Sequence, residues 1–240
     1  MSGPSMPAGH GATWALVPFK GRSRGKQRLA PVLDGHQRGV LAAAMLTDVL
    51  VALSASGAFE RILVVRGEGE PHPDGFERVT WLVQPAPAPS TAPVGGLNRA
   101  LGWAQRLAAQ EAVRRLVIVL ADVPLIQIDD LVALLDAAPA GDGPFAVLAP
   151  DGASTGTNAL LLSPPDVLEP RFGADSFRAH VARLGERRVP YAIVRRSNLG
   201  LDLDTPDDLE RFLDVAPPNC TRAALESFGM SERGRSRSLV

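Results

Sequence analysis

Short apolar runs alternate with amphipathic segments along most of the chain. Leu41, Met45, Val49 and Leu53 recur at helical spacing, which predicts a helix from His36 to about Ser56. Short runs rich in β-branched residues are typical of buried parallel strands. We predict such strands at residues 14–19, 61–65, 78–83, 117–122, 145–149 and 189–194, with a further apolar run at 159–162. The pattern indicates one α/β domain.

Composition narrows the class of protein. The chain has 240 residues and a net charge of −1, so we do not expect an extended basic surface that binds nucleic acid. We predict no membrane span and no secretion signal. The single cysteine, Cys220, is weak evidence for a reducing compartment, and we expect a cytoplasmic protein. We divide the chain into a disordered leader at 1–13, a domain at 14–214, and a flexible or docking tail at 215–240.

The strand that ends at Asp122 is the first candidate for a ligand-binding position. Ligands of open α/β sheets bind outside the carboxyl ends of the strands, where Asp122 lies and where Pro124 breaks the apolar run. Mg²⁺ prefers one or two carboxylates together with phosphate oxygens. Two hypotheses are equally open on this stretch alone: a metal ligand, or an aspartate that caps a strand-to-helix turn.

A basic loop follows the first strand. Residues 20–29 contain two glycines and five cationic side chains, including Lys20, Lys26 and Arg28. The loop lacks the Gly-Lys-Ser/Thr ending of a P-loop, so a Walker site is not supported. Backbone amides freed by glycine and the cationic side chains can still bind a triphosphate. We favour phosphate binding over a solvated basic loop.

Two other polar segments have both a ligand-binding and a structural interpretation. Gly95 and Gly96 precede a helix and permit close approach of a planar ligand, and Asn98 offers donor and acceptor groups to a base edge. For Asn98 taken alone, we favour an ordinary capping role. The hydroxyl- and glycine-rich segment 151–158 can wrap an anion or form a hairpin turn.

The last polar segment of the domain contains two unexplained acids. Thr205 is predicted to be the N-cap of a helix with Pro206 as its first residue, which leaves Asp202 and Asp204 without a capping role. Residues two apart on an extended segment point the same way. Close carboxylates repel without a cation, so Asp202 and Asp204 near Asp122 would form a divalent-metal cluster.

Taken in order, these motifs resemble the guanylyltransferase family of coenzyme F-420 biosynthesis. Each motif alone is weak, but the ordered set is specific and covers about Trp14 to Leu213. The matching segments are Val17–Lys20, Lys26–Leu33, Gly96–Asn98, Ala121–Leu125, Gly156–Leu162, Arg171–Gly173 with Ser176–Phe177, and Leu201–Pro206. Gln27 departs from the Ser or Thr that we expect there, and the segment from Gly67 to Pro93 matches no pattern.

The resemblance implies a fold and a reaction. The fold is a three-layer α/β/α nucleotidyltransferase domain, related to glycosyltransferase-A folds, with a mostly parallel mixed sheet. The reaction joins the GMP part of GTP to the phosphate of a three-carbon acid and releases pyrophosphate. The acceptor is 2-phospho-L-lactate, phosphoenolpyruvate or 3-phospho-D-glycerate, and the sequence does not choose among them. The implied cofactor is Mg²⁺ or Mn²⁺.

The resemblance also assigns residues. It places the metal on Asp122, Asp202 and Asp204, and the acceptor on Thr157, Gly173 and Ser176. For the nucleotide we expect contacts from the loop cations and the later glycine segment: Lys20, Lys26, Arg28, Gly95, Gly96 and Asn98. Lys20 and Lys26 would offset charge on the pyrophosphate leaving group, and they join Asp122 as catalytic candidates.

Other functions and partners stay open at this stage. A related nucleotidyltransferase with a molybdopterin or sugar-phosphate acceptor would normally open with a Gly-Gly-x-Ser-x-Arg-Met-Gly motif, which is absent. A non-catalytic nucleotide-binding subunit would not need three carboxylates. A homodimer is compatible with the sequence. The tail after Pro217 is a candidate for docking the downstream enzyme that condenses the product with a deazaflavin precursor.

Overall fold

The computed structural model describes residues 12–19, 26–67, 73, 75–84, 96–139 and 143–231. Its strands are β1 Thr13–Phe19, β2 Arg61–Arg66, β3 Val79–Val83, β4 Arg115–Val119, β5 Phe145–Pro150, β6 Thr157–Ser163 and β7 Tyr191–Ile193. Its helices are α1 Gly35–Ala55, α2 Gly96–Gln110, α3 Ile128–Asp136, α4 Ser176–Glu186, α5 Ser197–Gly200, α6 Pro206–Val215 and α7 Cys220–Ser227. A short 3-10 helix occupies Gln27–Leu29.

The seven strands form one mixed sheet in the order β3-β2-β1-β4-β6-β5-β7. Strand β6 runs antiparallel to β4 and β5, whereas the other pairs are parallel. The short connection between β5 and β6 explains the reversal, because antiparallel neighbours need only a hairpin while parallel ones need a crossover. The predicted mostly parallel mixed sheet is therefore confirmed.

Alternate residues of the central strands pack into two separate cores. In β1, Ala15 and Val17 lie in one core, and Trp14 and Leu16 lie in the other. The first core contains buried residues of α1, α3, α6 and α7, and the second contains those of α2 and α4. A strand buried on both faces shows no polar alternation, which is why these segments appear in the sequence as continuous apolar runs. The result is the predicted α/β/α arrangement.

Helix α1 is long and apolar enough, by length and composition alone, to cross a membrane. Half of its apolar window is buried against the rest of the protein. The positions predicted from helical spacing, Leu41, Met45, Val49 and Leu53, are all at most 1% exposed. The N-terminus is fixed by Asp34, which forms a capping box with Gln37. We interpret α1 as a core helix.

Residues 219–228, in the predicted flexible or docking tail, fold against α1. Asn219 caps α7, and the carboxylate of Asp48 in α1 accepts hydrogen bonds from the backbone N–H groups of Cys220 and Thr221. Leu225 and Thr221 are fully buried. The few apolar residues of this short helix formed no recognisable pattern in the sequence. They are buried because the helix packs against α1. The arginine-rich residues 232–240 lie outside the described residues.

Candidate active site

Three carboxylates meet beyond the end of β4. One oxygen from each of Asp122, Asp202 and Asp204 lies within 4.8 Å of the other two. Asp122 follows β4, whereas Asp202 and Asp204 lie on the segment before α6. Leu203 between them is fully buried, so its side chain enters the core while its two neighbours face the cluster. The alternation argued from the sequence holds, and the three acids do converge.

Lys26 binds two of these acids. Its ammonium group donates to Asp122 Oδ2 and to Asp204 Oδ1, each at 2.6 Å, and its side chain is only 9% exposed. Burial by itself would lower the pKa of Lys26, but the charges of Asp122 and Asp204 outweigh it and the pKa is raised. Lys26 therefore remains cationic. Its backbone adopts the left-handed conformation (φ 58°), which is uncommon for lysine.

Asp202 has a different environment from the other two acids. Burial, followed by repulsion from Asp122, raises its pKa to about 6. A hydrogen bond from Asn158 Nδ2 (3.2 Å) opposes this shift. Asn158 also donates to the backbone oxygen of Leu199 at 2.8 Å and is buried, so it holds Asp202 in place. No role could be assigned to Asn158 from the sequence, because only the fold brings its amide to Asp202.

These carboxylates line a cavity of about 480 Å³. The same cavity is lined by the three residues that the family resemblance assigned to the acceptor, Thr157, Gly173 and Ser176, and by Arg28. They come together because β6 is antiparallel to β4, so Thr157 at the start of β6 lies at the edge where β4 ends. Ser176 begins α4, and its hydroxyl accepts a hydrogen bond from the backbone N–H of Thr157 at 2.9 Å. Both residues are at most 2% exposed.

Gly173 has a conformation that requires glycine. Its φ is +129°, a region that other residues rarely adopt. A Cβ built there would meet no atom within 4 Å, so the requirement is conformational and not steric crowding by a neighbour. The segment between Phe172 and Ser176 thereby turns along the cavity wall.

Asn98 joins α2 to this wall. Its Nδ2 donates to the backbone oxygen of Phe172 at 2.9 Å, and its Oδ1 accepts from the backbone N–H of Phe172 at 2.8 Å. One amide hydrogen and one oxygen lone pair remain for another partner. Contact with guanine therefore stays a prediction for Asn98, as it does for Gly96, which is exposed at the start of α2. Lys20 and Gly95 lie outside the described residues.

The segment between β5 and β6 binds a carboxylate of its own. Asp151 accepts from the backbone N–H groups of Thr155 (2.8 Å) and Gly156 (2.7 Å) and from the Thr155 hydroxyl (2.9 Å). The hairpin interpretation of this segment is thus correct. Asp151 thus uses three donors of this segment, the backbone N–H groups of Thr155 and Gly156 and the Thr155 hydroxyl.

Asp129 and Asp130 lie in the first turn of α3. Asp130 has a larger structural role than a favourable charge at a helix end. It is 1% exposed and accepts from Arg196 Nε at 2.8 Å and from Asn198 Nδ2 at 3.0 Å. These bonds tie α3 to the segment that leads to Asp202.

The carboxylate cluster fits a divalent cation by its chemistry. Oxygen ligands suit Mg²⁺ and Mn²⁺. Oδ1 of Asp122 is buried and has no hydrogen-bond partner among the described residues. A buried anionic oxygen without a partner is costly, and a cation would satisfy it. Asp122, Asp202 and Asp204 are therefore the residues that would hold the metal.

Comparison with known proteins is consistent with this geometry. A phosphoenolpyruvate guanylyltransferase of Rubrobacter xylanophilus is 40% identical over 201 residues, covering 84% of this chain and 93% of its own. A 3-phospho-D-glycerate guanylyltransferase of Phenylobacterium zucineum is 31% identical over 221 residues, covering 88% and 93%.

A solved structure supports the fold. It is a putative nucleotide-diphospho-sugar transferase from Desulfovibrio desulfuricans, which matches with a TM-score of 0.63 at 16% identity over 90% of this chain and 94% of its own. The family model described as "Guanylyl transferase CofC like" matches residues 13–236. The chain therefore belongs to the CofC-like guanylyl transferase family.

Proposed function

We propose that this protein transfers GMP from GTP to the phosphate of a three-carbon phospho-acid and releases pyrophosphate, as a step of coenzyme F-420 biosynthesis. One observation supports the proposal most directly. Three carboxylates and the ammonium group of Lys26 line one cavity, and the carboxylates are those of Asp122, Asp202 and Asp204. Guanylyltransferases named for two different acceptors are similar over most of the chain, which supports the class of reaction and leaves the acceptor open.

The main barrier to this reaction is electrostatic. The acceptor phosphate is an anionic nucleophile at neutral pH, so a strong general base is not required. Its approach to a triphosphate is opposed by the repulsion of like charges. A divalent cation bound to Asp122, Asp202 and Asp204 would supply charge neutralisation for the phosphate groups.

The residues of the chain supply the remaining functions. Lys26 provides a buried positive charge beside the cluster, and the exposed Arg28 provides a second positive charge that lines the same cavity. With Lys20, they offset the charge that builds on the pyrophosphate leaving group. Thr157, Gly173 and Ser176 bind the acceptor, and Gly95, Gly96 and Asn98 hold the nucleotide. Fixing two substrates in this way lowers the entropic part of the barrier.

The direct test is incubation with GTP, Mg²⁺ and, in turn, phosphoenolpyruvate, 3-phospho-D-glycerate and 2-phospho-L-lactate. Pyrophosphate release and the mass of the product are measured, with an Asp122→Asn variant as the background control. We expect acceptor-dependent pyrophosphate release and a guanylylated product with one of the acceptors. GTP binding without pyrophosphate release with all three would instead support a non-catalytic nucleotide-binding subunit.

A further inference from the structure

His180 is a buried histidine on α4 that the proposed reaction does not use. It is fully buried. Its Nδ1 lies 3.0 Å from the hydroxyl of Thr157, and its Nε2 accepts a hydrogen bond from the backbone N–H of Arg171 at 2.9 Å. The ring therefore connects the cavity residue Thr157 to the segment that leads to Gly173.

These two contacts determine where the protons lie. A backbone N–H can only donate, so Nε2 must carry a lone pair and no hydrogen. The proton of the neutral ring is then on Nδ1, and Nδ1–H donates to the oxygen of Thr157. Burial, followed by the charge of Arg183, lowers the pKa of His180 to about 4, so the neutral ring persists at physiological pH.

The position of this proton determines which hydrogen bonds the hydroxyl of Thr157 can make in the cavity. Its hydroxyl oxygen accepts from His180, so its own hydrogen is left for a different acceptor. The hydroxyl hydrogen of Ser176 is likewise left for another acceptor, because the Ser176 oxygen accepts from the backbone N–H of Thr157. The described residues show no acceptor for either hydroxyl hydrogen, and both residues line the cavity.

We propose that His180 is a positioning residue that commits the hydroxyl of Thr157 to donate a hydrogen bond to the anionic acceptor. The inference rests on the proposed function, since it names what orients a residue of that site. An unconstrained threonine hydroxyl can rotate to accept or to donate. A hydroxyl whose oxygen accepts from His180 Nδ1–H cannot donate to that ring, so its hydrogen is available in the cavity, where an anion is the strongest acceptor.

The His180 ring also contacts Arg171 and Phe172, which lead into the cavity wall at Gly173. His180 accepts from Arg171, and Asn98 binds both backbone groups of the next residue, Phe172. The Phe172 ring packs edge-on against His180, with centroids 5.3 Å apart. A purely structural role for His180 would act through this wall, so the test must separate it from the role through Thr157.

Two substitutions of His180 each preserve one of its two hydrogen bonds and remove the other. His180→Asn can place an amide N–H near the position of Nδ1, which preserves the donor to Thr157 but loses the acceptor for Arg171. His180→Gln can place an amide oxygen near Nε2, which preserves the acceptor for Arg171 but loses the donor to Thr157. We expect His180→Gln to raise KM for the acceptor up to roughly 10-fold, in line with the weakening of one hydrogen bond to a charged group, while KM for GTP is unchanged.

A double-mutant cycle with Thr157→Val is the decisive kinetic measurement. If His180 acts through the Thr157 hydroxyl, His180→Gln has little further effect in the Thr157→Val background. Equal effects of His180→Gln in both backgrounds would overturn the proposal, because a wall-holding role does not depend on that hydroxyl. His180→Asn should retain more acceptor affinity than His180→Gln, and the reverse order would also count against it.

Nitrogen NMR of the unsubstituted protein tests the protonation of the ring directly, and a variant is needed only to assign the signal. With ¹⁵N-labelled histidine, long-range proton–nitrogen correlations distinguish a protonated ring nitrogen from a bare one. His180, identified by the signal missing in His180→Gln, should show a protonated Nδ1 and a bare Nε2 at pH 7. A protonated Nε2 would refute the inference. Absence of turnover with every acceptor would instead refute the proposed function, which this spectrum does not address.

Discussion

The backbone oxygen of Asp122 accepts a hydrogen bond from the backbone N–H of Leu203 at 3.1 Å. This bond joins the end of β4 to the segment before α6. Because Leu203 lies between Asp202 and Asp204, the bond places their carboxylates beside Asp122. The three side chains are thus held by a main-chain contact that does not depend on a cation, and substitutions of the carboxylates should leave the fold intact.

Asp122→Asn should reduce acceptor-dependent pyrophosphate release by roughly 10²-fold or more, because it removes a central charge of the cluster. The melting temperature should stay close to that of the unsubstituted protein. Asp129→Asn is a matched control, since Asp129 is an exposed acid in the first turn of α3. Normal turnover by Asp122→Asn would contradict the assignment of the cluster to the reaction.

Lys26→Met should lower turnover by roughly 10²-fold through loss of one electrostatic donor. It should also leave Asp122 and Asp204 without their shared cation, so Mg²⁺ should raise the melting temperature of this variant more than that of the unsubstituted protein. Melting curves with Mg²⁺ and with a chelator measure the difference. An equal response of both proteins to Mg²⁺ would mean that Lys26 and the metal do not act on the same carboxylates.

Gly173→Ala should weaken acceptor binding, because alanine at a φ of +129° is strained by about 1–3 kcal/mol unless the segment moves. KM for the acceptor is expected to rise while KM for GTP stays unchanged. Gly185→Ala on α4 is the matched control, since a Cβ there meets nothing and its φ is not positive. If both variants behave alike, the conformation of Gly173 has no bearing on the acceptor.

The lowered pKa of His180 predicts a pH dependence of stability. Its pKa is about 4 in the folded protein, where burial and then Arg183 lower it from the ordinary 6.5. Between these values the unfolded chain binds a proton that the folded protein does not, so the contribution is fully present above pH 6.5 and is lost as the pH falls toward 4. The loss amounts to roughly 3 kcal/mol.

Denaturant unfolding at pH 7 and pH 4.5 measures this contribution. His180→Gln should lose less stability between the two pH values than the unsubstituted protein does. The difference between the two proteins isolates His180 from Asp202, whose raised pKa acts in the opposite direction over part of the same range. A parallel loss in both proteins would show that His180 does not titrate as described.

Much of the fold followed from local pattern. Spacing predicted α1, continuous apolar runs predicted β1 and β2, and capping residues predicted the start of α6, where Thr205 and Asp208 form a capping box. These features depend on neighbours in sequence, so the sequence contains the information needed to predict them. Helix α7 was missed because its burial depends on α1, far away along the chain.

The site was predicted only in part for the same reason. Asp122, Asp202 and Asp204 could be proposed as one cluster because a strand end and an alternating pair restrict where carboxylates point. Asn158 and His180 gave no signal, because an amide or an imidazole acquires a role only from the atoms opposite it. Those atoms are the carboxylate of Asp202 and the hydroxyl of Thr157.

The sequence by itself determined the α/β class, the order of the segments and the residue types at the cavity, since these depend on local spacing and composition. Only the tertiary structure decided that Lys26 binds two of the acids, that Asn98 binds the main chain of Phe172, and that Asp151 uses the donors of its own loop. Hydrogen bonds and ion pairs depend on distances of a few tenths of an ångström, and those distances are fixed by the packing of segments far apart in the chain.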